Sequence, residues 1–185
     1  MTGREFFKKY RLLLPILQES HNLSPVFLKK TIYLLSGGKI QILLRYLQLK
    51  ESGKKIGENV YLADKVVIKN AQNLNIGDNC SIHEFSYLDA AGDIIIGDNV
   101  SIAHNCSLIS FEHTWSDKDT PIKYNKTRNM KITIGNDVWI GCGVRILAGS
   151  VIEDRVIVAA GAVVRGELES GYIYGGVPAR KIKKI

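Results

Sequence analysis

The sequence predicts a mainly β protein: a parallel β-helix of hexapeptide repeats, preceded by an α-helical extension. Three observations carry this. The pattern Ile-Gly-acid-Asn-apolar occurs at Ile56–Val60, Ile76–Cys80 and Ile96–Val100, with starts 20 residues apart, and a fourth copy, Ile134–Val138, reverses its polar pair. Self-similarity at a fixed period marks a repeat architecture. Large aliphatic residues also fall at every sixth position, as in Ile56, Leu62, Ile68, Leu74 and again in Ile134, Ile140, Ile146, Ile152, Val158, Val164. Four residues after many of these stands a small or branched residue, among them Val60, Cys80, Ser86, Val100, Cys106, Val144, Ser150 and Ala162.

Neither a helical nor a simple strand period produces this pattern. Three hexads make one triangular coil. The large aliphatic points inward and stacks on its counterpart in the next coil, and the residue four later fills the narrower space. Gly and Asn at the turns supply positive φ. A coil takes 18 residues, as from Ile134 to Ile152, and the first coils take 20, so one corner holds two extra residues. Such a solenoid buries its faces only by stacking.

Residues 1–55 read as helical. Phe6, Phe7, Tyr10, Leu13, Leu14 and Leu17 follow helical spacing, Ser24-Pro25 opens a second helix, and Ile40 to Leu49 forms a third between Gly37-Gly38 and Ser52-Gly53. This segment carries eleven Lys or Arg against three Glu, although the whole chain has a net charge of +7. The expected role of these helices is packing on the main domain or on a neighbouring subunit. The alternative is a peripheral membrane contact through their basic faces. The tail Arg180-Lys181-Ile182-Lys183-Lys184 is a second basic cluster. Both clusters suit either a solvated surface or attraction to anions, and no aromatic-interleaved basic motif points to nucleic acid. The organisation is then a helical extension over 1–55, a β-helix over 56–170 and a basic tail over 171–185.

Three cysteines, Cys80, Cys106 and Cys142, occupy repeat positions. Their odd number argues against a disulfide framework and for a reducing, cytoplasmic setting. No signal peptide and no membrane span are read: the run from Leu12 to Leu17 is short and holds Pro15, and the stretch from Thr31 to Leu49 is broken by Gly37-Gly38, Lys39 and Arg45.

The repeat fails once, between Leu108 and Ile132. The segment 109–131 is polar and holds His113, Trp115, Asp117, Asp119, Pro121, Tyr124 and Arg128. A long loop on a rigid scaffold is usually functional.

Together with the hexads, the loop Glu112-His113-Thr114-Trp115-Ser116-Asp117, the motif Val138-Trp139-Ile140-Gly141 and the terminal Gly175-Gly176-Val177-Pro178-Ala179-Arg180 resemble the hexapeptide-repeat O-acetyltransferases. The similarity is greatest to the polysaccharide and colanic-acid type, and it runs from about Lys55 to Ile185. The resemblance implies a left-handed β-helix, a homotrimer with sites between subunits, acetyl-CoA as donor and a sugar or glycan as acceptor. No metal is expected.

Acetyl transfer to a hydroxyl needs a base and a donor to the oxyanion. A neutral imidazole suits the first task, and the resemblance gives it to His113. The second falls to the backbone amide of Cys142. Trp139, Gly141, Cys142, Ala159 and Ala160 match positions that hold the pantetheine arm. Arg165, Arg180 and Lys183 match groups near the nucleotide phosphates, with Arg165-Gly166-Glu167 departing from the usual Thr-Lys-Asp. Asp89, His83 and Glu84 fall near acceptor-binding positions. Trp115 and Asp117 are further acceptor candidates, and Trp115 serves equally as a loop anchor.

Two other enzymes fit the same scaffold. One acetylates the nitrogen of an amino sugar with the same donor and base. The other is a zinc carbonic anhydrase, which needs three converging histidines. His83, His104 and His113 follow Ile82, Ile102 and Leu108 by one, two and five residues, so the register points them in different directions.

Overall fold

The computed structural model describes residues 38–185, with Pro15, Ile16 and Glu19 as isolated helical positions before them. Apart from these three positions, the two helices expected ahead of Gly37-Gly38 lie outside the described residues, and with them most of the basic extension. The third is α1 (Gly38–Ser52). Leu43, Leu44, Tyr46, Leu47 and Leu49 of this helix are buried. Arg45 Nε donates to the Leu62 carbonyl at 2.8 Å and Tyr46 OH to the Gly57 carbonyl at 3.0 Å. α1 thus closes the N-terminal end of the solenoid, where the first coil would otherwise expose its interior. Among the described residues no helix is long and apolar enough to cross a membrane.

Six coils follow, with three parallel faces. Face A stacks β1 (Lys55–Ile56), β4 (Leu74–Ile76), β7 (Ile94–Ile96), β12 (Ile132–Ile134), β15 (Val151–Ile152) and β18 (Glu167–Leu168). Face B stacks β2 (Tyr61–Leu62), β5 (Ser81–Ile82), β8 (Ser101–Ile102), β13 (Trp139–Ile140), β16 (Ile157–Val158) and β19 (Tyr172–Gly175), and β20 (Arg180–Lys184) lies beyond β19. Face C stacks β3 (Val67–Lys69), β6 (Tyr87–Asp89), β9 (Ser107–Ile109), β14 (Arg145–Ile146) and β17 (Val163–Val164). The hexad register holds throughout. Ile56, Ile76, Ile96, Ile134, Ile152 and Leu168 pair in sequence on face A, and Leu62, Ile82, Ile102, Ile140, Val158 and Tyr174 do so on face B. The two extra residues of the longer coils lengthen face A. β4, β7 and β12 each bury two aliphatics where β1 and β15 bury one.

The recurring pentapeptide is the A–B corner. Its Asn supplies the left-handed residue, with φ of 56° at Asn59 and 58° at Asn79 and Asn99. Its Gly does something else: none of Gly57, Gly77, Gly97 and Gly135 has positive φ, so the expectation that these glycines serve turn conformation is corrected. They are required by close approach, because a Cβ on Gly77 would collide with Asp98 Oδ1 and sit 2.7 Å from the Gly97 carbonyl carbon. The acid of the next coil lies over that glycine. Asp78, Asp98, Asn136 and Asp154 each accept, through Oδ1, the N–H of Glu58, Asp78, Asp98 and Asn136 in turn, at 2.6–2.8 Å.

Residues 171–185, expected as a basic tail, are part of the solenoid. β19 completes the sixth coil and β20 returns antiparallel to it. Lys181 Nζ lies 3.9 Å from the Tyr172 ring centroid and 2.9 Å from Glu169 Oε2, an ion pair and cation–π contact over the last coil.

Candidate active site

The break in the repeat is an antiparallel hairpin, β10 (Phe111–His113) with β11 (Thr127–Asn129), rising from the C–A corner between the third and fourth coils. The excursion leaves the solenoid at Ser110 and returns at Met130, whose N–H donates to the Ser110 carbonyl at 2.8 Å. His113 stands three residues out, opposite Thr127, on the exposed side of the arm. Among the described residues its imidazole has no hydrogen-bond partner. Beside it Glu112 and Arg128 form a cross-strand ion pair.

The tip is folded on itself. Asn125, only 7% exposed, donates through Nδ2 to the carbonyls of Asp117 at 3.1 Å and Thr120 at 2.8 Å, and its Oδ1 accepts the Asp117 N–H at 3.1 Å. The Asp117 carboxylate accepts from Thr120 Oγ1 at 2.8 Å and from the Asp119 N–H at 3.0 Å, and these bonds hold its pKa below the usual value. The residue proposed for an acceptor therefore already serves the loop. Trp115, Ile122 and Tyr124 are 65–72% exposed on this arm, so the structure does not make Trp115 an anchor within its own chain.

A second set of predicted residues gathers elsewhere, at the B–C corner. There the N–H of Asn105, Gly143 and Gly161 donates to the carbonyl of Glu84, His104 and Cys142 on the preceding coil, at 2.8–3.0 Å. The amides of Glu84, His104, Cys142 and Ala160 themselves have no partner among the described residues. At the A–B corner the equivalent amides are covered by the side chains of Asp78, Asp98, Asn136 and Asp154. The B–C corner thus presents a column of free N–H donors. Gly141 permits it, because a Cβ there would lie 2.7 Å from the Ala160 nitrogen.

Trp139, 54% exposed, projects from face B beside this column. It heads an outward row with Ile157, Ile173 and Lys183, paired strand to strand, and Arg180 pairs with Gly175 at the end of the same sheet. At about 4.8 Å per strand, Lys183 stands three strands from Trp139. An aromatic face, free amides and cations therefore follow one another along one flank. Ala159 is half-buried and Ala160 exposed at the same corner. Arg165 does not join them: it follows β17 and lies on face C near the C–A corner.

The acceptor candidates divide. His83 and Glu84 lie at the B–C corner, with His83 Nδ1 3.8 Å from Glu84 Oε2 and its ring 5.6 Å from that of Tyr61. Asp89 lies at the C–A corner, 8% exposed, and its carboxylate accepts from Asn70 Nδ2 at 2.7 Å, the Ala91 N–H at 3.2 Å and Tyr87 OH at 3.3 Å. His83 and His104 share one corner while His113 rises from another. Among the described residues no three His, Cys, Asp or Glu are grouped to hold a metal ion.

The model of the bacterial transferase hexapeptide, six repeats, matches residues 131–166. Galactoside O-acetyltransferase of Escherichia coli is 32% identical over 142 residues, covering 74% of this chain and 66% of that protein. The chain belongs to the hexapeptide-repeat transferase family. A dTDP-4-amino-4,6-dideoxy-D-glucose acyltransferase of Escherichia coli is 27% identical, covering 75% of this hexapeptide-repeat chain and 86% of the relative. A solved galactoside acetyltransferase in complex with coenzyme A superposes with a TM-score of 0.74 and 27% identity, over 93% of this chain and 82% of that one. The chain spans less of some relatives, 43% of a probable acetyltransferase of Mycobacterium tuberculosis to which it is 33% identical.

Sequence reading missed Ser110, Asn125 and the amide column. Asn125 carries no local signal, since its partners are loop carbonyls brought round by the fold. The column was legible in principle: at the A–B corner the covering position two residues after the aliphatic reads Asp78, Asp98, Asn136 and Asp154, and at the B–C corner it reads Glu84, His104, Cys142 and Ala160, with no short Asp or Asn side chain to reach the amide of the preceding coil.

Proposed function

We propose that this chain transfers an acetyl group from acetyl-CoA to a hydroxyl of a sugar or polysaccharide precursor, with His113 as general base. The observation that carries the reading is the flank of the B–C corner. The free amide at Ala160 suits the amide-rich pantetheine arm and that at Cys142 the thioester carbonyl at its end, Trp139 suits contact with its length, and Arg180 and Lys183 suit the phosphates. Nothing at this corner would obstruct such a ligand, because Gly141 and Ala160 carry little or no side chain.

The chemistry follows from the groups present. His113 accepts the proton of the acceptor hydroxyl as its oxygen attacks the thioester carbonyl. The Cys142 N–H donates to the carbonyl oxygen as it gains charge. The carbon–sulfur bond then breaks, and the proton held by His113 passes to the leaving thiolate. The acetyl group ends on oxygen and the coenzyme leaves as free thiol.

The two halves of this machinery start from different corners of one chain. Face C separates them, a side of about six residues and roughly 15–20 Å at strand rise. The His113 arm is also tipped with exposed Trp115, Ile122 and Tyr124, an apolar surface that a second copy would cover. Sites between subunits of a homotrimer satisfy both features: the arm of one chain meets the B–C corner of its neighbour. Asp89 shares the corner of His113 and so belongs with the acceptor half.

Transfer to an amine is the second reading. It is favoured by the relative that acts on an amino sugar nucleotide, of which the chain covers 86%. The same donor and base serve it.

The test is thiol release from acetyl-CoA against a panel of sugars, glycan precursors and amino sugars, with wild type and His113→Ala. Release with a hydroxyl acceptor, a loss of about 10²–10⁴-fold in the variant and unchanged coenzyme binding are expected. Full activity in the variant contradicts the mechanism, and release only with amino sugars moves the assignment to the second reading.

A further inference from the structure

The arm that bears His113 is a cantilever. Among the described residues no hydrogen bond or ion pair ties residues 111–128 to the solenoid; the arm bonds only within itself, through the Thr114–Lys126 pair, the Glu112–Arg128 pair and the Asn125 knot. Within its own chain, hydrogen bonds hold it at its root alone. The root is Ser110, fully buried. Its Oγ donates to the Asp89 carbonyl at 2.8 Å and accepts the Gly92 N–H at 2.8 Å. Its N–H donates to the same Asp89 carbonyl at 3.0 Å, and its own carbonyl accepts the Met130 N–H at 2.8 Å. Gly92 lies so close beneath that a Cβ would collide with the Ser110 carbonyl and sit 2.6 Å from the Met130 nitrogen. Asn129 adds one outer tie, from Nδ2 to the Ala91 carbonyl at 3.0 Å. The turn that receives these bonds is itself fixed by the Asp89 carboxylate on the Ala91 N–H.

From this we infer that Ser110 is the positioning residue of the His113 arm: it pins the arm to the Asp89–Gly92 turn of the second coil and so sets where the imidazole stands. The inference rests on the reading of His113 as the base. Its lever is simple. His113 lies three residues from Ser110, about 10 Å at strand rise. A tilt of roughly 10° at the root therefore displaces the ring by about 2 Å, and a misplacement of about 1 Å can cost 10²-fold in rate.

Ser150 provides the control. It is also fully buried, at the C–A corner one coil on, and its Oγ bonds the carbonyls of Leu147 at 2.7 Å and Val164 at 3.2 Å, yet no arm grows from it. Ser110→Ala and Ser150→Ala remove comparable buried bonds and should lower the melting temperature alike. They should differ in two readouts. Ser110→Ala should speed hydrogen exchange over residues 111–129 and lower kcat about 10- to 100-fold, with KM for acetyl-CoA unchanged. Ser150→Ala should do neither. Asn129→Ala, exposed and without risk to folding, should move the same readouts in the same direction by less.

Equal exchange over the arm in Ser110→Ala, Ser150→Ala and wild type overturns the inference, and so does equal kcat in the two serine variants. Failure of the functional reading looks different: His113→Ala then retains activity, or no acceptor is turned over, while hydrogen exchange still decides whether Ser110 holds the arm.

Discussion

Cys80 and Cys106 are buried in the inner column of the coils and hydrogen-bond the carbonyls of Gly97 and Gly141 through Sγ, at 3.1 and 3.2 Å. Burial pushes the Cys80 thiol up to about 11 and raises that of Cys106 as well. Cys142 sits at the B–C corner, half-exposed. The thiolate is the reactive form, so one thiol of the three should be alkylated quickly at neutral pH, and mass spectrometry should locate it at Cys142. If the coenzyme lies along this corner, saturating CoA slows that labelling. Fast labelling of Cys80 would contradict the packing assigned to it. The packing of these cysteines was legible in the sequence because the hexad register assigns Cys80 and Cys106 to the narrow inner position. Asn125 was not legible, since nothing in its neighbourhood distinguishes it from a solvated loop residue until the loop carbonyls have closed on it.

The hexad is the unit on which the fold depends, and its two most regular residues act by different physics. Asn59, Asn79 and Asn99 turn the corner, and Gly57, Gly77 and Gly97 leave room for Asp78, Asp98 and Asn136 of the next coil. Gly77→Ala should therefore destabilise the fold by about 1–3 kcal/mol, as overpacking does in a dense interior, measured by denaturant unfolding. Relief of that loss by Asp98→Ala in the double variant would show the carboxylate to be the obstacle; a neutral Gly77→Ala would contradict the close approach. The inward register was readable from period, and the third helix from the breaks at Gly37-Gly38 and Ser52-Gly53 that bound it. The ends were not. Leu168 arrives two residues early and Tyr174 replaces an aliphatic on the stack, so the period no longer marks the last coil, and the return of β20 depends on pairing that no repeat announces. The arm shows the same division: its position followed from the break in the repeat, and its root at Ser110 from contacts with a turn 18 to 21 residues away.

At the scale of the whole molecule, the proposed function gives one chain an acceptor half at the C–A corner, with His113 and Asp89, and a donor half at the B–C corner, with Trp139, Cys142 and Ala160. Joining them takes a second copy of the chain. Two inactive variants test this most directly. His113→Ala removes the base, and Ala160→Glu, at an exposed position, places bulk and negative charge on the path of the donor while leaving the coil core untouched. Each variant alone should be inactive in thiol release. Co-expressed and purified together through distinct tags, they should recover a substantial fraction of wild-type activity, because mixed assemblies contain interfaces at which an intact arm meets an intact donor corner. Mixed assemblies that remain as inactive as either parent would contradict the account and place both halves of the site within a single chain.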